Sequence, residues 1–214
     1  MVHLNANGLR TDSQRTFLGK LLVDLQVGIC IVTESHLRKR DLKKLRYKNY
    51  VVLADSCRPI PLGEHAAGGV VILVHANFTA SELPEIADLP KAMEHCSIKL
   101  YLTQDPRTAV RISGLYIPPS GTKKLDMPSL QLLSEPLLDP RTTDALPHII
   151  AGDLNTTSWP SLYQEWLQAA GMCELWILRS PPTHPGRLSI SCFSPQAITY
   201  PPLSFPQGRV VERA

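Results

Sequence analysis

A chain of 214 residues that is 43% hydrophobic and 19% charged, with a net charge of +3, holds enough apolar material for one large globular domain and is neither fibrous nor disordered in composition. Its five cysteines are scattered without a C-x-x-C pair, which argues against a zinc ribbon or a disulfide framework and for free thiols in a reducing compartment. No apolar run approaches the ~20 residues needed to span a membrane, and the opening MVHLNANGLR lacks the apolar centre of a signal peptide, so the expectation is a soluble intracellular protein.

In chain order, TDSQRTFLGKLLVDLQ (11–26) places Phe17, Leu18, Leu21, Leu22 and Leu25 at helical spacing, with Thr11, Asp12 and Ser13 as N-cap candidates. VGICIVTE then reads as a buried strand that ends at Glu34. Further strands are expected at 50–54, 68–74, 97–102 and 109–117, from β-branched runs bounded by turn residues. Residues 125–139 look helical but are limited by Pro128 and Pro136. A strand at 148–151 is followed by SWPSLYQEWLQAAG, a helix with Ser158 as N-cap and Gly171 as its stop. From Arg179 onward there are seven prolines and no periodic element. The alternation of strands and helices, without repeats, predicts an α/β fold of packed sheets flanked by helices.

The strands close on polar residues. Glu34 ends ICIVTE, Tyr116 lies in GLYIPP, Asp153 and Asn155 end HIIAGDLN, and Asn5 and Asn7 lie in HLNANGL. Sites gather at strand ends, where loops meet a rigid scaffold. Two carboxylates with amides and a phenol suit a hard cation such as Mg²⁺, which takes oxygen ligands and keeps several waters. Each residue also has an ordinary use: Asp and Asn favour turns, and Asn7 before Gly8 is a turn signal.

Taken together, NANGL, ICIVTESHL, AAGGVVILV, ISGLYIPPS, HIIAGDLNTTS and PPTHPG, in that order, resemble the endonuclease/exonuclease/phosphatase superfamily. They are most similar to the apurinic/apyrimidinic-type endonuclease domains of non-LTR retrotransposons. The resemblance spans roughly residues 3 to 194. It implies an α/β four-layer sandwich of two mixed β-sheets between helices, incomplete at the C-terminus, with the site at one end. A domain of 1–194 would be followed by an irregular proline-rich tail, 195–214. The implied activity is metal-dependent DNA nicking with Mg²⁺ or Mn²⁺, in the nucleus if the chain is functional. The implied roles put Glu34 as the principal metal ligand and Asn7 beside the metal or a phosphate oxygen. Tyr116 would hydrogen-bond the scissile phosphate, Asp153 orient or deprotonate water, Asn155 stabilise the crowded phosphate, and Thr183 lie near it.

The chain departs from that pattern after PPTH. An expected isoleucine–aspartate strand reads RLSISCFSP, with Ser191 at the aspartate position, and the final Ser-Asp-His motif is missing: no Asp follows Asp153 and the one later histidine is His184. A degenerate or truncated copy, frameshifted near Arg187, accounts for both changes. It also predicts an exposed sheet edge beside the GDLN strand. The run LRKRDLKKLRYK (37–48) has seven basic residues in twelve, which suits DNA phosphates or a solvated helix with Leu37, Leu42, Leu45 and Tyr47 touching the core. An inactive nucleic-acid-binding remnant and a phosphoesterase acting on a phosphoinositide or another phosphate ester are the competing readings.

Overall fold

A computed structural model of the chain describes residues 1–57, 68–86, 88–90, 93–104, 108–119, 125–135, 146–175 and 190–193, with 173–175 and 190–193 described as backbone. Ten strands are present among the described residues: β1 (Val2–Asn5), β2 (Ile29–Thr33), β3 (Tyr50–Ser56), β4 (Val70–His75), β5 (Thr79–Glu82), β6 (Glu94–Tyr101), β7 (Ala109–Tyr116), β8 (His148–Asp153), β9 (Met172–Leu175) and β10 (Ile190–Phe193). The α-helices of the described residues are α1 (Asp12–Asp24), α2 (Met127–Ser134) and α3 (Pro160–Ala169). The strands form two mixed sheets, one ordered β1-β2-β4-β3 and the other β5-β6-β7-β8-β10-β9. The parallel pairs are β1–β2 and β7–β8.

Side-chain alternation makes the layers. In β2 and β4, Ile29, Ile31, Val70, Ile72 and Val74 face the second sheet, where they meet Ile98, Leu100, Val110, Ile112 and Ala151. The alternate residues Cys30, Val32, Val71 and Leu73 face outward onto Leu18 and Leu22 of α1. On the other side, Leu115 and Ile150 pack against Leu130 and Leu133 of α2 and Tyr163 and Trp166 of α3. Three apolar interfaces thus separate four layers, helix, sheet, sheet, helix, as the resemblance implied.

Several local expectations need correction. The apolar face of α1 is narrower than its spacing suggested: Leu18 and Leu22 are buried while Phe17 and Leu25 are exposed. Thr11 caps α1 in a reciprocal box with Gln14. Ser158 does not cap α3; it lies in a 3-10 turn (Thr156–Ser158), and Trp159 occupies the cap position ahead of Pro160. The edge of β8 expected to be bare is covered, because β10 pairs antiparallel with both β8 and β9. Residues 194–214, and with them the proposed tail, lie outside the described residues. Cys30, Cys57 and Cys96 are free thiols. No helix among the described residues is long and apolar enough to cross a membrane.

Three buried histidines tie stability to pH. Burial holds His3 and His95 at about 4, against the opposing charge of Asp153 at His3 and reinforced by Arg111 at His95. Burial, with Arg111 and His95 nearby, pushes His148 well below its ordinary value. A folded-state pKa below the unfolded one means the unfolded chain binds protons first, so stability is full above about pH 6.5 and falls towards pH 4. Urea unfolding is expected to show a loss of about 2 kcal/mol for each of His3 and His95 between pH 7 and pH 5, with His148 adding in the same direction. A midpoint unchanged over that interval would contradict the burial of all three.

Candidate active site

The end of the first sheet is built from three chain segments stitched beyond their strands. Ala6 N–H donates to Thr33 O (2.9 Å), Gly8 N–H to Glu34 O (2.7 Å) and Leu9 N–H to Ser35 O (2.8 Å). On the other flank Ser35 N–H donates to Gly69 O (3.0 Å) and His36 N–H to Gly68 O (2.8 Å). This stitching holds Glu34 at φ 50° and His36 at φ 52°, in the left-handed region that costs an ordinary residue about 1–3 kcal/mol. A buried carboxylate from the second sheet completes the frame: Glu94, at the start of β6, accepts the Gly69 N–H. Gly69 itself stands at φ +92°, and a Cβ there would fall 2.6 Å from Ser35 Oγ.

Into this frame the fold brings Glu34, Tyr116 and Asp153. Asn5 Nδ2 donates to Glu34 Oε1 (2.9 Å) and to Asp153 Oδ2 (2.8 Å), so a single amide spans carboxylates from two sheets. Tyr116 ends β7 opposite Asp153, and its hydroxyl lies against the Glu34 carboxylate. Burial, then the Glu34 charge and hydrogen bond, then Glu94 and Asp153, push its pKa far up, which keeps the phenol protonated as a donor. His36 Nε2 stands 3.8 Å from Glu34 Oε2, and burial with Arg10 nearby lowers its pKa. Asp153 also serves the turn, since its Oδ1 accepts Asn155 N–H (3.3 Å). Asn155 sits at φ 47° and donates Nδ2 to Ile117 O (2.8 Å), tying the ends of β7 and β8 together.

The amide that reaches both carboxylates is therefore Asn5. Asn7 lies one turn on, exposed, and its backbone N–H donates to Asn5 Oδ1 (3.0 Å). In an extended chain the two asparagines would share a face, but the left-handed φ of 43° at Asn7 breaks the alternation. Asn5 ends a strand paired with β2 one residue before Glu34, and that register was the signal available for it. Glu94 and His36 were not foreseen; Glu94 lies three residues ahead of the run at 97–102 that reads as strand. Thr183 lies outside the described residues.

Among the described residues no three His, Cys, Asp or Glu side chains form a ready-made metal cage. Two carboxylates joined by an amide, with oxygen donors facing one volume, nevertheless fit a Mg²⁺-like ion, which binds one or two carboxylates and retains its waters. Of the site residues, Glu34 and Asp153, which share the Asn5 amide, would hold such an ion.

A family model described as the Endonuclease/Exonuclease/phosphatase family matches residues 2–207. Comparison with curated proteins finds no match. Among solved structures, AP endonuclease LMAP from Leishmania major is similar at TM-score 0.56 and 14% identity, covering 89% of this chain and 77% of that one. D. rerio TDP2 complexed with single-strand DNA product gives 0.55 and 14%, covering 94% and 85%. The Bacteroides thetaiotaomicron mannosyl-6-phosphatase Bt3783 gives 0.56 and 17%, covering 91% and 84%. At these identities the three share the fold.

The frame makes a testable demand on Glu94. Glu94→Ala leaves the Gly69 N–H buried without its acceptor and is expected to cost about 1–3 kcal/mol in urea unfolding and to weaken Mn²⁺ binding by calorimetry. Glu94→Gln keeps an acceptor oxygen and should retain most of both. Equal losses from the two substitutions would assign Glu94 a different role.

Proposed function

The chain belongs to the endonuclease/exonuclease/phosphatase family, whose members hydrolyse phosphodiester or phosphate ester bonds, and from that premise we propose that it is a DNA-nicking phosphodiesterase of retroelement type that uses Mg²⁺ or Mn²⁺. The observation that carries the reading is the single amide of Asn5 bonded to Glu34 and Asp153 at once. Members of this family are generally dependent on a divalent metal. When bound, the ion supplies Lewis-acid polarisation of a phosphoryl oxygen and offsets the repulsion between carboxylates and phosphate.

The remaining work falls to side chains. Asp153 would orient the attacking water and accept its proton on a carboxylate lone pair not given to the ion. Asn5 fixes the relative position of the two carboxylates, taking the place that the resemblance gave to Asn7. Tyr116, kept protonated by burial and by surrounding negative charge, donates to a non-bridging phosphate oxygen. Asn155 has one amide hydrogen committed to Ile117 O and a second for the crowded phosphate. Water attacks phosphorus in line, the P–O3′ bond breaks, and the departing oxygen takes a proton from solvent, leaving a nick with a 3′-hydroxyl and a 5′-phosphate.

Incubation with supercoiled plasmid tests this. Nicking that needs Mg²⁺, stops with EDTA and falls at least 100-fold in Glu34→Gln is the expected outcome. Release of inorganic phosphate from a sugar or inositol phosphate without plasmid nicking would instead make the chain a small-ester phosphatase. Salt-sensitive DNA binding with no hydrolysis of either would make it a binding remnant.

A further inference from the structure

Positive charge is unevenly distributed along this chain. Between Arg10 and Lys48 there are ten Lys or Arg against four Asp or Glu, a surplus of six in a chain whose net charge is +3. The fold folds that stretch onto one flank. From Glu34 the chain passes through a 3-10 turn (Lys39–Lys44) and runs down beside α1 to β3, with Leu37 and Leu45 buried as anchors. Between α1 and this segment lies an open cleft of about 540 Å³, whose lining includes Arg15, Lys20, Lys44, Arg46, Tyr47 and Lys48.

The cleft is shaped by packing rather than by loose side chains. Gly19, in the middle of α1, leaves room for the Tyr47 ring; a Cβ there would stand 2.9 Å from two ring carbons. The Tyr47 hydroxyl donates to Arg15 O (2.9 Å). Tyr47 is thereby pinned across α1, and Arg46 and Lys48 are held on either side of it. Two of the cations are answered: Arg15 pairs with Asp12, and Lys44 with Asp41 at 2.7 Å. Lys20, Arg46 and Lys48 are exposed and have no ion pair among the described residues. Against them the lining offers Asp24.

The upper end of the cleft adjoins the active-site loop. Arg15 Nη1 donates to Leu9 O (2.7 Å) and Arg10 O (2.6 Å), in the turn that follows Asn5 and Asn7. From there the thirteen residues of α1 extend about 20 Å away from the site, the length of several nucleotides of a strand.

We propose that this cleft is a phosphate track for nucleic acid, in which Lys20, Arg46 and Lys48 hold the backbone of a strand leaving the cutting end along α1. The inference rests on the nucleic-acid reading of the site and adds the path by which the substrate extends beyond it. Phosphate contacts of this kind carry no base recognition, so binding through the track is sequence-independent and steeply salt-dependent.

The test uses the full chain in EDTA, a fluorescein-labelled 20-base-pair duplex and fluorescence anisotropy between 50 and 200 mM KCl. Combining Lys20→Gln, Arg46→Gln and Lys48→Gln is expected to make the slope of log affinity against log salt shallower by about 2–3, and to lower affinity at 50 mM by roughly tenfold or more. A second triple, Lys39→Gln, Arg40→Gln and Lys43→Gln, removes the same charge from residues that do not line the cleft and should change the slope less. An unchanged slope in the first triple, or equal changes in both, would overturn the track. Failure of the wild-type chain to nick plasmid would remove the hydrolytic reading while leaving this binding result intact.

Discussion

Two carboxylates of like charge do not approach one another without something between them, and here that something is the Asn5 amide. Its two N–H groups bond Glu34 at the end of one sheet and Asp153 at the end of the other. The residues are far apart in the chain, Asp153 following Asn5 by 148 positions. The four-layer packing exists upstream of this contact: the sheets must meet face to face through Ile31, Ile72, Ile98 and Ile112 before the ends of β1, β2 and β8 coincide. Neutral amides serve this purpose well, since they satisfy carboxylate oxygens without cancelling the negative charge that draws a cation.

Charge is then separated over the molecule in a way that makes chemical sense. The site presents Glu34, Asp153 and Glu94 around Tyr116, while the flank from Arg10 to Lys48 carries the positive surplus. Carboxylates alone repel phosphate, so in the proposed function a metal ion would offset that repulsion at the site and the basic flank would attract a polyanion. The run 37–48 is anchored by Leu37 and Leu45 in the core, with most of its basic residues outward.

The strands rich in Ile, Val and Leu were legible because alternating burial on two faces demands such runs, and Glu34, Tyr116 and Asp153 were legible as polar residues closing them. What escaped the sequence has specific physical causes. Asn5 was passed over in favour of Asn7 because only the backbone shows that Asn7 turns left-handed and leaves the strand's alternation. Strand β6 begins three residues earlier than its apolar run, since Glu94, His95 and Cys96 are buried by packing that local composition does not report. Strand β10 was hidden in proline-rich surroundings: its four residues contain no proline, and its partners β8 and β9 supply the ladder. Ser158 looked like a cap because Ser favours that position, yet the 3-10 turn before α3 moves the cap to Trp159.

The central claim is that Glu34 and Asp153, joined by Asn5, bound one cation-binding volume. Crystals soaked in Mn²⁺ and measured by anomalous diffraction near the manganese edge address it without reliance on turnover. The account predicts a peak in bonding distance of the Glu34 carboxylate on the side facing Asp153, lost in Glu34→Gln. Manganese bound elsewhere while Glu34 and Asp153 stay bridged by Asn5, or no bound manganese at all, would contradict it.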